Sequence, residues 1–199
     1  MNKDLVIVFV KNIKPGHVKT RLAKTIGNDA AITIYKALLN ITETVTKKLE
    51  SDLLIAFSEH IDDNIWAHSN KTVQQGGDLG ERMKNAFQNG FNKGYERIIL
   101  IGSDLPNLTA NHINSGLEKL KKNTAVFGPA EDGGYYLIGL SQMQPYIFEN
   151  KPWSETHLLE LTLTELNKKQ VPFATLDTLN DIDTIEDLIQ FPELFKLIS

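Results

Sequence analysis

Carboxylate side chains near the ends of apolar segments are the groups of this sequence best suited to chemistry. Asp104 closely follows the aliphatic run at residues 97–102. It lies five residues before Thr109, the predicted cap of the next helix, so helix capping does not explain Asp104. Carboxylate oxygens are the ligands that Mg²⁺ and Mn²⁺ prefer. Asp104 is therefore a candidate metal ligand, and an Asx turn across residues 103–106 is the structural alternative.

A second acidic segment lies near the C-terminus. Asp183 is followed three residues later by Glu186, a spacing that fits the aspartate form of a capping box, so a helix cap explains Asp183 better than a ligand role does. The cap does not explain Asp181. We therefore expect Asp181 to be the better candidate for a second acidic ligand opposite Asp104, a pairing that only the fold can bring about.

The first loop of the chain is basic, although the whole protein is acidic. No acidic residue interrupts its cations, which are Lys11, Lys14, Lys19, Arg21 and Lys24. Lysine offers a point charge and arginine a planar fork for phosphate oxygens, while Gly16 allows close backbone approach. The required glycines of a P-loop are missing. The loop is a candidate anion site, with a solvated basic turn as the alternative; His17 is the histidine that we would test.

Glycines at residues 74–82 form a second candidate loop, between a short predicted strand and a helix. Amides at a helix N-terminus attract anions, so Gly77 and Gly80 could face a ligand. The structural alternative is a turn in which Asp78 caps the helix.

A third loop, at residues 127–136, contains two acids and two glycines between predicted strands. Asp-Gly between strands favours a hairpin. The same turn could expose Asp132 and the amides of Gly133 and Gly134 to a substrate. Asp132 could then act as a base or orient an acceptor hydroxyl.

Apolar segments of strand length alternate with segments of helical period. The predicted strands lie at residues 5–10, 53–57, 97–102, 124–128, 135–140 and 173–176, and the predicted helices at 28–49, 79–93, 109–122, 155–169 and 184–198. This alternation predicts an α/β fold, a three-layer sandwich with a mainly parallel sheet and helices on both faces. Ligands of such sheets bind beyond the carboxyl ends of the strands, where the loops above begin. We expect a single domain over residues 1–199.

Composition excludes several classes of protein. The chain has 199 residues, a formal charge of −4 and no cysteine, which excludes disulfide scaffolds, zinc-thiolate sites, iron–sulfur clusters and cysteine nucleophiles. The acidic balance argues against a sequence-independent nucleic-acid binder. The longest apolar run, residues 5–10, is far shorter than the ~20 residues that span a bilayer. We expect a cytoplasmic protein without a membrane span that acts on or binds small molecules.

Five blocks of sequence together resemble the nucleotide-diphospho-sugar transferase superfamily with the glycosyltransferase-A (GT-A) fold. The nearest branch is similar to small bacterial glycosyltransferase-like proteins and to 2-phospholactate guanylyltransferase. The blocks are PGHVKTRL at 15–22, GDLGERM at 77–83, GSDLP at 102–106, GP at 128–129 with DGGY at 132–135, and DIDT at 181–184.

The resemblance implies roles for individual residues. Asp104 would hold Mg²⁺ or Mn²⁺ on the nucleotide phosphates, with Asp181 or Asp183 as a further ligand, and Lys19 and Arg21 would contact phosphates. The catalytic residues would be Asp104, Asp132, Lys19 and Arg21. The nucleotide would be bordered by Lys11, Gly16, His17, Lys19, Arg21, Gly77, Asp78, Leu79, Gly80, Arg82 and Ser103. The acceptor would be bordered by Asp132, Gly133, Gly134, Tyr135 and Trp153, although Trp153 could equally be a core aromatic.

The resemblance leaves three functions open. The first is a metal-dependent glycosyltransferase that moves a sugar from a sugar nucleotide to a small acceptor. The second is a nucleotidyltransferase that releases pyrophosphate from a nucleoside triphosphate, and the third is a non-catalytic nucleotide-binding module. Nucleotidyltransferases of this superfamily open with a Gly-Gly-x-Gly type of loop. Gly16 is the one glycine of the first loop here, which favours a sugar-nucleotide donor.

Overall fold

The computed structural model describes residues 3–153 and 155–198. Its centre is a seven-stranded sheet with the order β3-β2-β1-β4-β6-β5-β7. Strand β6 runs antiparallel to both of its neighbours, and the other neighbouring pairs are parallel, so the expected mainly parallel sheet is confirmed. The strands are β1 Asp4–Val10, β2 Asp52–Phe57, β3 Asn70–Val73, β4 Arg97–Ile101, β5 Ala125–Pro129, β6 Tyr135–Leu140 and β7 Phe173–Thr175.

Helices cover both faces of the sheet, as the sequence predicts for a three-layer sandwich. They are α1 Thr20–Ile26, α2 Asn28–Thr46, α3 Leu79–Asn92, α4 Ala110–Leu120, α5 Leu158–Lys168, α6 Ile185–Ile189 and α7 Pro192–Phe195, with a short 3₁₀ helix at Pro145–Ile147. Successive side chains of a strand point to opposite faces. In β1, Val6 and Val8 therefore join the core of α2 and α4, whereas Leu5 and Ile7 join the core of α3 and α5. None of the described helices is long and apolar enough to cross a membrane.

Two helical predictions need correction. The predicted helix at 184–198 is two short helices, α6 and α7, because Pro192 disfavours helical backbone at the preceding Phe191, and a proline suits the first turn of a new helix. Helix α1 was not predicted; it begins after Lys19, whose φ of 45° is left-handed. The predicted helix at 155–169 begins only at Leu158.

The cap of α6 lies one residue later than the sequence predicts. Thr184, not Asp183, is the N-cap: its side chain accepts a hydrogen bond from the amide of Asp187, and the Asp187 carboxylate accepts one from the Thr184 amide. The expected cap role of Asp183 is therefore wrong, and its carboxylate contacts Lys19 and Arg21 instead. At α4 the expectation holds, since Thr109 caps the helix.

The parallel strands bring the candidate loops to one edge of the sheet. Strands β1 and β4 are neighbours, but the chain leaves β1 toward β2 on one side and β4 lies on the other, which is the topological switch point where such folds bind ligands. The carboxyl ends of β5 and β7 lie at the same edge, because both strands run parallel to β4. The loops that follow these strands therefore meet around one cleft.

Candidate active site

An ammonium group surrounded by carboxylates is the centre of the candidate site. Nζ of Lys19 lies 2.9 Å from Oδ2 of Asp104, 3.2 Å from Oδ1 of Asp183 and 3.7 Å from Oδ2 of Asp181. The Lys19 side chain is only 4% exposed, whereas the carboxylates are a quarter to a third open to solvent. We call these four residues the lysine–aspartate cluster. It joins the three aspartates that the sequence analysis singled out as metal ligands.

The backbone around Lys19 explains how a basic loop sends one cation inward. The left-handed conformation of Lys19 is uncommon for a residue other than glycine and turns the chain into α1. Before it, Val18 is buried. At the loop's start the buried Asn12 side chain accepts bonds from the amides of Glu59 and His60. The loop is thus held at both ends.

The cluster carries more negative than positive charge. Burial lowers the pKa of Lys19, but the charges of Asp104, Asp183 and Asp181 outweigh it and raise that pKa, so the ammonium stays protonated. Burial also raises the pKa of Asp181 to about 7; Lys19 opposes this shift, while Asp183, Asp104 and Asp132 add to it. The raised pKa of Asp181 therefore has burial as its first cause and the neighbouring carboxylates as a further one.

The rest of the basic loop stays on the surface. Arg21 binds Oδ2 of Asp183 through Nη2 at 3.0 Å, and its side chain is 64% exposed. Lys11, Gly16 and His17 are exposed. Gly16 has a φ of 76° and no neighbour near the position of a Cβ atom. The loop therefore offers an open cationic surface in front of a buried lysine.

The glycine-rich loop before α3 is occupied by its own contacts. The Asp78 side chain caps α3 by accepting a bond from the Glu81 amide, as the structural alternative predicts. The Gly77 amide donates to Oε2 of Glu81 at 2.8 Å and is not free in the structure, so its expected place beside a nucleotide stays a prediction. Arg82 donates to the Gly76 carbonyl. Leu79 is an exposed apolar side chain of the first helical turn.

Gly80 is required for packing rather than for an open amide. A Cβ atom on Gly80 would lie 2.4 Å from the Phe148 carbonyl oxygen and 2.7 Å from Cζ2 of Trp153. Both contacts are far closer than atoms normally approach. The absence of a side chain at Gly80 thus lets Trp153 lie against α3.

The hairpin between β5 and β6 also uses its own amides. The Gly133 amide donates to the Ala130 carbonyl, and the Gly134 amide donates to Oδ1 of Asp132 at 2.9 Å. These two amides are therefore not free in the structure, and their expected place beside a substrate stays a prediction. The hairpin reading of Asp-Gly is confirmed. Gly133 has a φ of 88° and lies against the backbone of Thr156, which leaves no room for a Cβ atom.

A cleft of about 260 Å³ opens beside the lysine–aspartate cluster. Asp104 and Asp181 line it together with Asp132, so the fold brings three candidate acids from distant loops to one space. Tyr135 and Trp153 line it as well. Ser103 is not among its lining residues: its side chain is buried and lies 3.3 Å from the Tyr35 hydroxyl.

One residue of this region, Tyr35, had no signal in the sequence. Tyr35 of α2 accepts from the Lys11 amide and donates to the Lys11 carbonyl, which ties the basic loop to the helix. In the sequence it looks like a core aromatic of α2, so only the fold reveals its position. Glu155 also lines the cleft, and it lies two residues after Trp153, an expected acceptor-side residue.

The carboxylates of the lysine–aspartate cluster are chemically suited to bind a divalent cation, but in the structure their spacing is set by the Lys19 ammonium that they surround. Carboxylate oxygens are the hard donors that Mg²⁺ and Mn²⁺ take, and the cluster lacks positive charge. As they stand, the described residues contain no group of three His, Asp or Glu side chains arranged to hold a metal ion. The reason is that Lys19 Nζ occupies the point on which Asp104, Asp181 and Asp183 converge.

Comparison with known proteins identifies the family and the fold. The family model described as "Uncharacterized protein conserved in bacteria (DUF2064)" matches residues 41–155. The crystal structure of a proposed nucleotide-diphospho-sugar transferase from Desulfovibrio desulfuricans G20 is similar, with a TM-score of 0.90 and 32% identity over 100% of this chain and 97% of that chain. Comparison with curated proteins gives no significant match.

Two more distant structures share the fold. The 4-diphosphocytidyl-2C-methyl-D-erythritol synthase of Anaerococcus prevotii DSM 20548 has a TM-score of 0.64 at 12% identity, over 97% of this chain and 96% of that chain. Rv0371c of Mycobacterium tuberculosis H37Rv, in a complex with manganese, has a TM-score of 0.56 at 12% identity, over 96% of this chain and 98% of that chain. The resemblance to the nucleotide-diphospho-sugar transferase superfamily is thus confirmed for the fold, and the chain belongs to the bacterial family DUF2064.

Proposed function

We propose that the protein is a transferase that takes a nucleotide-diphosphate donor and moves a sugar from a sugar nucleotide to a small acceptor. The observation that carries this proposal is the lysine–aspartate cluster at the switch point of the sheet, next to a cleft that also contains Asp132. The similar protein from Desulfovibrio desulfuricans G20, named as a proposed nucleotide-diphospho-sugar transferase, supports it.

The residues of the cluster would divide the binding of the donor between them. Asp104, with Asp181 or Asp183, would hold a Mg²⁺ or Mn²⁺ ion, which supplies charge neutralisation of the diphosphate when bound. Lys19 has one positive charge against three carboxylates. The Lys19 ammonium would pair with phosphate oxygens of the donor if the aspartates held such a cation. Arg21 lies at the exposed side of the cluster, where its fork suits a second phosphate contact.

On the acceptor side, Asp132 is the candidate base. Its carboxylate lines the same cleft as Asp104, and the bond from the Gly134 amide fixes its orientation. A hydroxyl group in the cleft could donate its hydrogen bond to Asp132 and lose that proton as it attacks the sugar carbon. Charge stabilisation on the leaving diphosphate, by contrast, would come from Lys19 and Arg21.

The test of this proposal is the identity of the released product. The purified protein is incubated with sugar nucleotides and with nucleoside triphosphates, each with and without Mn²⁺, and a panel of small acceptors. Release of a nucleoside diphosphate from a sugar nucleotide supports glycosyl transfer. Release of pyrophosphate from a triphosphate establishes nucleotidyl transfer instead, and nucleotide binding without turnover establishes a binding module.

The Asp104→Asn variant tests the site within the same assay. We expect turnover to fall about 10²–10³-fold, because well-placed charge stabilisation of this kind is worth a few kcal/mol. Asp29→Asn, an exposed aspartate in the first turn of α2, is the matched control and should leave turnover unchanged. Equal rates for Asp104→Asn and wild type would contradict the role of Asp104.

A further inference from the structure

The cleft is lined by negative charge on several sides. Four carboxylate side chains line it, Asp104, Asp132, Glu155 and Asp181. Among the lining residues that the structure describes, none is lysine, arginine or histidine. Apart from Lys19 behind Asp104 and Asp181, the cleft thus has no cation of its own to receive an anionic ligand.

Several hydrogen-bond donors of the described walls are already used within the protein. The Tyr136 hydroxyl donates to the Asp177 carbonyl at 3.1 Å, and the Tyr135 hydroxyl is buried, so that the Tyr135 ring forms the wall. The Gly134 amide is taken by Asp132, and the Gly102 amide by the Tyr136 carbonyl. The charged side chains of the described walls are carboxylates, which only accept hydrogen bonds when ionised.

Two of the four carboxylates, Asp132 and Glu155, lie outside the lysine–aspartate cluster. Asp104 and Asp181 belong to the lysine–aspartate cluster. Asp132 shows one hydrogen bond among the described residues, from the neutral Gly134 amide. Glu155 lies 3.2 Å from Nε2 of His157 at the exposed rim. Among the described residues, Lys19 forms its ion pairs with Asp104, Asp181 and Asp183 and not with Asp132, so the Asp132 charge is left to face the acceptor.

Apolar walls complete the cleft. The rings of Tyr135 and Trp153 line it, together with the side chains of Met83, Leu100 and Leu158. Trp153 is held in place by its close approach to Gly80. Flat aromatic walls beside carboxylates suit a ligand with an apolar body and a hydroxyl or ammonium group.

We propose that the acceptor is an uncharged or cationic hydroxyl compound with an apolar part, and that phosphorylated and carboxylated acceptors are rejected. The inference rests on the proposed function, since it names the acceptor class of the same cleft. An anionic acceptor would meet no lysine, arginine or histidine among the described lining residues and would face Asp132 and Glu155 directly. A neutral or cationic acceptor can donate to both carboxylates.

Three phenols of nearly the same size test this selection, tyrosol (neutral), tyramine (cationic) and 4-hydroxyphenylacetate (anionic). Their dissociation constants are measured by NMR titration of the full chain at neutral pH, without any donor. We expect 4-hydroxyphenylacetate to bind at least about tenfold more weakly than the other two, because like charges in a cleft repel. Equal or tighter binding of the anion, or binding of none of the three, overturns the inference.

A matched pair of variants assigns the selection to the cleft. Asp132→Asn keeps an oxygen for the Gly134 amide but removes the charge, and we expect it to reduce the preference against the anion by at least about threefold. Glu155→Gln should reduce it in the same direction. Glu131→Gln removes the same charge from an exposed neighbour outside the cleft and should leave the preference unchanged. An equal effect of Asp132→Asn and Glu131→Gln overturns the assignment to the cleft.

These titrations separate the inference from the proposed function. They contain no sugar nucleotide, so charge selection by the cleft is observed whether or not transfer occurs. If sugar nucleotides are turned over but the anionic phenol binds best, the inference alone fails. If the phenols are sorted by charge but no donor is bound or turned over, the proposed function alone fails.

Discussion

The two groups of carboxylates around the cleft differ in how their charge is balanced. In the lysine–aspartate cluster, Asp104, Asp181 and Asp183 surround the buried ammonium of Lys19. On the opposite side, Asp132 has a neutral amide as its hydrogen-bond partner. The first group holds a cation inside the protein, and the second presents its charge to the solvent of the cleft. In the proposed function the first group would exchange its ammonium for a metal cation, and in the further inference the second group would sort ligands by charge.

The different charge balance of the two carboxylate groups has a physical reason. A buried group of three carboxylates without a cation would be strongly destabilising, because taking charges out of water costs more than hydrogen bonds return. Lys19 lowers this cost in the protein without ligands. At Asp132 the carboxylate is open to water, so solvent stabilises its charge until an acceptor displaces that water.

Removing the cation of the cluster has the largest expected effect on the free energy of unfolding. Lys19→Met leaves three carboxylates close together, and we expect a loss of about 3 kcal/mol, at the lower end of the range for breaking a buried pair, because the carboxylates are partly solvated. Urea unfolding in EDTA measures it. Added Mn²⁺ should recover more stability in the variant than in wild type, since binding to the native state stabilises it by mass action.

Lys24→Met is the control for this experiment, because Lys24 belongs to the same basic stretch but is exposed. It should change the free energy of unfolding by no more than about 0.5 kcal/mol. A Lys19→Met protein as stable as the Lys24→Met protein would show that the carboxylates need no internal cation, and the contrast between the two sides of the cleft would disappear.

The uncompensated side can be disturbed without touching the cluster. Gly80→Ala places a methyl group 2.7 Å from Cζ2 of Trp153 and 2.4 Å from the Phe148 carbonyl oxygen. We expect overpacking to cost about 1–3 kcal/mol in the free energy of unfolding and to move the Trp153 wall. Tyramine should bind more weakly, while the stabilisation by Mn²⁺ should stay as in wild type.

Gly77→Ala is matched to Gly80→Ala, because a methyl group there meets only Oε2 of the flexible Glu81 side chain, at 3.4 Å. We expect near-wild-type stability and tyramine binding. If Gly80→Ala reduced the Mn²⁺ effect as strongly as it reduced tyramine binding, the two sides of the cleft would not be separable.

The strands were predictable from the sequence because most of them are buried on both faces. The aliphatic residues of β1 and β4 form continuous runs, and the predicted and observed bounds of these strands differ by one residue at most. The end of the chain was harder: Asp183 and Thr184 are adjacent and both are common helix caps, so spacing alone did not decide between them.

The residues of the lysine–aspartate cluster stand out in the sequence, but their contacts with one another do not. Asp104 and Asp181 stand out because no local role explains them. Their partner Lys19 was assigned to phosphates, because nothing local in a sequence shows that a lysine meets carboxylates 85 and 164 positions away. The glycine loops show the opposite case, since the amides of Gly77 and Gly134 have local partners four and two residues away that the sequence analysis did not use.

The smallest expected effect concerns the helix cap that frees Asp183 for the cluster. Thr184→Ala removes the side-chain oxygen that accepts from the Asp187 amide. We expect a loss of about 0.5–2 kcal/mol in the free energy of unfolding, as for other N-caps. Thr184→Ser keeps a hydroxyl and should lose less than half of that amount.

The same variants show whether the cap also positions the cluster. Asp183 precedes the cap, and its amide donates to Oδ2 of Asp187 at 3.0 Å, so loosening the cap should loosen the backbone of Asp183. We expect Mn²⁺ to stabilise Thr184→Ala less than wild type, and tyramine to bind both equally. Asp183 contacts Lys19 and Arg21, so loosening its backbone should affect the cluster and not the acceptor side. Weaker tyramine binding with an unchanged Mn²⁺ effect would contradict this expectation.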